Sequence, residues 1–296
     1  MFHRYLAFSI TAILLLFAGL GSAAETDRGV FWKATRDHKT VYLLGSIHLA
    51  TEDFYPLRAQ IEEAYSNSDA IAVEADITAA EDDVLLQQKI MMASVYQGDR
   101  SLRDELPPKL YQQLQDWMRK HNMPEALFIR QRPAIAMVSM SMIEMQAQGL
   151  NPELGIDRHF LKKANRDGKP VLEVEGVLQQ IQLLNSLENP ALLLQQTLDQ
   201  LEDISSFLPK ITRAWKAGDI DALNRLIILQ GLKKNPDYKP LYDALFFQRN
   251  ENMAAWIAAH APNYPSLFVI LGAGHMVGEK SVIHLLEQAG YKLEQL

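Results

Sequence analysis

Two stretches near opposite ends of the chain share one pattern: Tyr42-Leu43-Leu44-Gly45-Ser46-Ile47-His48 and Val269-Ile270-Leu271-Gly272-Ala273-Gly274-His275. Each is a short apolar run closed by Gly-x-x-His. A run of this length and β-branched content reads as a buried strand. The glycine after it lets the chain turn sharply and approach a ligand closely. Two further apolar runs end in a carboxylate, with Glu74 after Val73 and Glu175 after Val174. Four strands would therefore each deliver a His or a Glu to one sheet edge. Strands separated by helical stretches imply an α/β architecture, and in such sheets ligands bind outside the carboxyl ends of the strands.

The remaining pattern fits that frame. Val30–Thr35 and Thr40–Ile47 flank the polar Arg36-Asp37-His38-Lys39 and read as a hairpin. Pro56 to Ser66 reads as a helix, Ala70–Val73 as a strand, and Ala79 to about Leu150 as helices broken at Pro107-Pro108, Pro124 and Pro133. A helix over Gly155–Asn165 and a turn at Asp167–Pro170 lead to a strand at Val171–Val174. Helices follow from Val177 to His260, with breaks expected near Pro190, Pro209 and Pro236. Strand Leu267–Leu271, helix Lys280–Gln288 and strand Tyr291–Leu296 close the chain. The expected fold is α/β: a central mixed sheet with an internal repeat of strand–Gly-x-x-His–helix units and a large helical insertion forming a cap or outer layer. No linker or low-complexity stretch divides residues 25–296, which read as one domain.

Composition narrows the function. The chain carries 29 Lys+Arg against 36 Asp+Glu and contains no cysteine. The acidic balance argues against a nucleic-acid partner. Lack of cysteine removes disulfides, thiolate metal sites and a Cys nucleophile. His3 and Arg4, the apolar run Tyr5–Gly21 and the small residues Ser22-Ala23-Ala24 form the pattern of a cleaved secretory signal peptide over residues 1–24. The competing reading of that run is a retained anchor, since its length approaches a membrane span. Cleavage would place the mature chain in the periplasm or medium, with no stable membrane span.

Two imidazoles and two carboxylates, His48, His275, Glu74 and Glu175, form a donor set for a first-row divalent ion such as Mn, Co or Zn. Such an ion would support hydrolysis, with Glu74 or Glu175 as ligand or general base. Arg249 reads either as a holder of a substrate carboxylate or oxyanion or as a structural ion-pair partner of the glutamates. Gln180 reads as a supporting or capping partner and Asp157 as a helix-start residue. The Gly272-Ala273-Gly274 run with Gly278 imitates a nucleotide loop, but Glu279 stands where a P-loop needs Lys, and too little chain follows for a dinucleotide fold. No Gly-x-Ser-x-Gly elbow is present. Met137, Met140, Met142 and Met145 read as core or groove lining.

In combination, these residues resemble the TraB/GumN family, related to the Tiki proteins and more distantly to the erythromycin-esterase/ChaN-like superfamily. The resemblance rests on Leu44–Leu49, Val73-Glu74-Ala75-Asp76, Gly155-Ile156-Asp157, Glu175 with Gln180, Arg249-Asn250 and Leu271–His275. It spans essentially the whole mature chain, with Gly176 departing from the Thr expected after the Glu. The resemblance implies an α/β fold and, through the Tiki branch, metal-dependent proteolysis. Three readings stand at this stage. One is an exported metal-dependent hydrolase acting on a peptide or small molecule. Another is a periplasmic ligand- or haem-binding protein of the same fold. The third is a scaffold in which the His/Glu cluster only stabilises the sheet edge.

Overall fold

The computed structural model describes residues 27–296. The segment read as a signal peptide, residues 1–24, lies outside the described residues. Among those described, no helix is long and apolar enough to cross a membrane.

Six strands form one mixed sheet: β1 Phe31–Arg36, β2 Lys39–Ser46, β3 Ala70–Val73, β4 Val171–Glu173, β5 Ser266–Gly272 and β6 Lys292–Gln295. Their order is β4-β3-β5-β2-β1-β6. The first four in that order run parallel, and β1 is antiparallel to both β2 and β6. The hairpin turn is tighter than the sequence suggests. Only Asp37 and His38 lie outside the strands, both with positive φ, the backbone that a two-residue hairpin turn of this hand requires.

Burial explains which strands sit at the centre. Leu267 to Leu271 of β5 are all buried, as expected for a strand covered on both faces. The main hydrophobic cluster joins these residues to Leu43 and Leu44 of β2, to Phe160 and Leu161 of the helix Ile156–Asp167, and to Ile257 of the helix Gln248–His260. A second cluster draws no residue from the sheet. Leu114 and Trp117 from Pro108–Lys120, Met140 from Pro133–Ala147 and Leu194 from Pro190–Leu201 pack together. Met140 is fully buried there.

One expected helix break is absent. The helix Ile204–Ala217 runs through Pro209. Proline removes one intrahelical bond, here the one to the Ser205 carbonyl. Ser205 and Pro209 are both exposed, so water can satisfy that carbonyl. The breaks at Pro190 and Pro236 do mark helix starts, each proline occupying the first turn.

Candidate functional site at the carboxyl edge of the sheet

Register brings the candidate residues together. Leu44 pairs with Ile270, Ile270 with Val73, and Val73 with Glu173, so the parallel strands end side by side. Pairing continues just past the strands, with Glu74 N–H donating to the Ile270 carbonyl (3.1 Å) and Glu175 N–H to the Glu74 carbonyl (3.0 Å). Each chain then leaves the sheet over the same edge.

The buried half of the site is built around Arg249. Its Nε donates to both oxygens of Glu175 (3.0 and 3.2 Å), its Nη2 to Glu175 Oε2 (2.6 Å) and Glu74 Oε1, and its Nη1 to the Leu245 carbonyl (3.1 Å). Gln180 Nε2 bridges the two carboxylates, 2.9 Å from Glu74 and 3.0 Å from Glu175. Glu74 Oε2 accepts the Gly272 N–H at 3.0 Å. Burial opposes ionisation of Glu74, yet the charges of His275, Arg249 and His48 and the Gly272 N–H outweigh it and hold the carboxyl at about 2. Arg249 follows a π-helical turn, Asp243–Phe247, an irregularity that often marks functional positions.

His275 lies in a short 3-10 turn, Ala273–Met276, and its side chain is 6 % exposed. Its Nδ1 contacts Asn250 Oδ1 at 2.5 Å, while Asn250 Nδ2 donates to the Lys280 carbonyl at 2.7 Å. Its Nε2 stands 3.9 Å from Glu74 Oε1. Burial pushes this imidazole down to about 4, so it is neutral at pH 7.

His48 behaves differently. It stands two residues beyond β2, with its side chain 62 % exposed, and its Nδ1 meets Asp157 Oδ2 at 3.1 Å. The Asp157 charge dominates over desolvation and lifts the imidazole to about 9. Local packing makes this contact. Ile156 N–H donates to the Ile47 carbonyl at 3.0 Å, and any Cβ at position 155 would overlap the His48 carbonyl oxygen, so only glycine fits there. At position 45, too, a Cβ would come within 2.9 Å of the Val30 side chain.

The structure thus gathers Glu74, Glu175, Arg249 and Gln180 into one hydrogen-bonded group, with His275 Nε2 beside it at 3.9 Å from Glu74. His48 stands beside it on the open side, close enough to feel the charges of Glu74 and Arg249. The expected four-donor set is not assembled as such. Arg249 and Gln180 donate to both Glu74 and Glu175, and among the described residues no three His, Asp or Glu side chains are placed to hold a metal ion. Asp157 and Asn250, which sequence reasoning did not assign to the histidines, each hold an Nδ1. Their only signal was membership of the Gly155-Ile156-Asp157 and Arg249-Asn250 motifs. A cleft of about 370 Å³ opens beside Arg249 and Glu175, with Gln180, Gln182, Gln248 and Asn252 on its walls.

Comparison with known proteins places the chain in a family. Residues 30–295 match the model of the TraB/PrgY/gumN family. The YbaP protein of Escherichia coli K12, itself uncharacterized, is 29 % identical over 83 % of this chain and 87 % of its own length. A protein named Metalloprotease TIKI2 in Xenopus tropicalis is 27 % identical over 93 % of this chain and 61 % of its own length. One named Metalloprotease TIKI1 in Danio rerio is 25 % identical over 91 % of this chain and 64 % of its own. The chain therefore spans about three fifths of these metalloprotease relatives. No solved structure matches it significantly.

Proposed function

Because the chain belongs to the TraB/PrgY/gumN family, we propose that it is an exported metal-dependent hydrolase of peptides, with His48, His275 and Glu74 as the donors that would draw together around a divalent ion (Mn, Co or Zn), since in this structure they do not stand at ligand spacing. One observation carries this reading. His275 Nε2 and Glu74 Oε1 face each other across 3.9 Å, and neither brings a proton to the contact. The imidazole is neutral with its proton on the Asn250 side, and the carboxyl is ionised. A bare ring nitrogen beside a carboxylate favours a cation between them, which would share Oε1 with the Arg249 and Gln180 donors already on it.

The chemistry of the donors fits such an ion. Two imidazole nitrogens and a carboxylate oxygen suit a borderline divalent metal. Each imidazole is tied through Nδ1 to an oxygen, Asp157 or Asn250, which is how metal-ligating histidines are oriented. When bound, the ion would bring a water whose pKa falls to about 7 and would polarise a carbonyl.

The chain's own groups divide the remaining work. Glu175 and Gln180 fix Arg249, which keeps Glu74 ionised. Among the described residues, four of the five Arg249 N–H groups are engaged, leaving one on Nη1 for a substrate oxygen at the cleft. The amide-rich walls of that cleft suit the alternating donors and acceptors of a peptide backbone. Relatives named as metalloproteases support peptides as the substrate class.

The test is turnover of a mixed peptide pool by untagged protein freed of metal with a chelator. Cleavage should be absent after stripping, return with Mn, Co or Zn, and vanish in His48→Ala and His275→Ala proteins that keep the parent's circular dichroism. Undiminished cleavage by stripped protein or by His275→Ala would end the proposal.

A further inference from the structure

His275 has one ring proton and two acceptors competing for it. Asn250 Oδ1 lies 2.5 Å from Nδ1, and Glu74 Oε1 lies 3.9 Å from Nε2. An ionised carboxylate would ordinarily draw the proton to its own side, giving Nε2–H facing Glu74 and a bare Nδ1. The opposite arrangement requires that the group at Nδ1 can only accept.

Asn250 meets that requirement through its second contact. An amide side chain can present either its oxygen or its NH₂ to a neighbour. Here the other end of the amide lies 2.7 Å from the Lys280 carbonyl, which is an acceptor only, so that end must be Nδ2. Oδ1 is thereby committed to His275, and Nδ1 must carry the hydrogen. Asn250 is 1 % exposed, so no water replaces either bond, and an amide flip would set its oxygen against the Lys280 carbonyl with no hydrogen between the two acceptors. Its placement in the helix Gln248–His260, directly after Arg249, ties this arrangement to the guanidinium that holds Glu74.

We infer that Asn250 is the positioning residue of the site: anchored on the Lys280 carbonyl, it fixes His275 as the Nδ1–H tautomer and turns the bare Nε2 toward Glu74. The tautomer assignment stands on hydrogen bonding alone. Its consequence for metal affinity rests on the function proposed above.

The experiment is ring ¹⁵N–¹H correlation spectroscopy of histidine-labelled, metal-free protein, comparing the parent with Asn250→Leu and Asn250→Asp. Leu keeps roughly the volume and removes the acceptor, whereas Asp keeps an acceptor at Nδ1. The parent should show protonated Nδ1 and bare Nε2 at His275, and Asn250→Asp should keep Nδ1 protonated while its carboxylate draws a second proton to the ring, as Asp157 does at His48. Asn250→Leu should shift the proton to Nε2. Titration calorimetry with Mn, Co or Zn should then show affinity reduced about 10- to 100-fold in Asn250→Leu. An Asn250→Leu protein that keeps the Nδ1–H tautomer would overturn the inference. So would an Asn250→Asp protein whose His275 Nδ1 is bare, and this second arm decides if the Leu variant fails to fold. If the tautomer switches as expected but even the parent binds no divalent ion, the positioning role is supported and the metal-hydrolase reading fails separately.

Discussion

The two Gly-x-x-His loops leave neighbouring parallel strands one residue out of step, Gly45 opposite Leu271 and Ser46 opposite Gly272, and their imidazoles end in opposite electrical states. His275 is sealed in, bonded to a neutral amide and held neutral. His48 is largely exposed, bonded to a carboxylate and held protonated in the metal-free protein. The shared motif fixes where each backbone leaves the sheet. The partner at Nδ1, contributed by a distant part of the chain, decides what the ring does. A site with one closed and one open histidine has a rigid side and an accessible side. That suits a ligand or ion arriving from solvent onto a prepared half.

The largest test of this contrast removes the cation that organises the closed side. The Arg249 side chain is 14 % exposed, between Glu74 at 13 % and Glu175 at 8 %. Arg249→Met would leave two buried carboxylates without their counter-ion, and the expected loss is about 3–5 kcal/mol of unfolding free energy in urea. A loss below about 1 kcal/mol would mean that the closed side is not held by charge. Arg249→Lys should keep most of the stability yet lose activity, because a single ammonium cannot reproduce the planar fork across both carboxylates.

A smaller effect is expected from acid titration. The folded-state pKa of His275 is depressed below its unfolded value, from 6.5 to about 4. Between those values the unfolded chain binds the proton and the folded one resists it, so stability falls as pH drops from 6.5 toward 4. The sealed ring should account for roughly 3 kcal/mol of that fall. His275→Gln, which keeps a donor for Asn250 and does not titrate, should flatten the difference in chelator-treated protein. Equal slopes for parent and variant would show that the ring is not sealed.

His48 should give the smallest effect, with the opposite sign. Its folded-state pKa is raised, so its contribution is fully present below pH 6.5 and is lost as pH rises through about 9. With the ring 62 % exposed, solvent screening limits the effect to about 1 kcal/mol. His48→Gln should remove this alkaline loss and leave the acid limb unchanged. A change confined to the acid limb would reverse the assignment of the two loops.

The strands were legible because buried parallel strands are continuous apolar runs, and β3 falls where Ala70–Val73 predicts it. Glu74 and the two histidines could be nominated from their positions at strand ends. What the strand ends could not reveal was pairing. Asp157 reaches His48 only because Gly155 lets the helix Ile156–Asp167 close against the His48 backbone. Asn250 reaches His275 from a helix whose position depends on the core around Ile257. Glu175 looked equivalent to Glu74 in sequence; Arg249 and Gln180 bond to both, and what separates them is that Glu74 also accepts the Gly272 N–H and faces His275. Pro209 misled for a local reason, since an exposed helix face tolerates the lost bond.

Calorimetric titration of Mn, Co and Zn into untagged, chelator-stripped protein tests the central claim most directly. The account predicts one ion per chain for at least one of these metals, with binding lost in both His48→Ala and His275→Ala and retained in Arg249→Lys. Absence of binding to the parent, or full binding to His275→Ala, would contradict it.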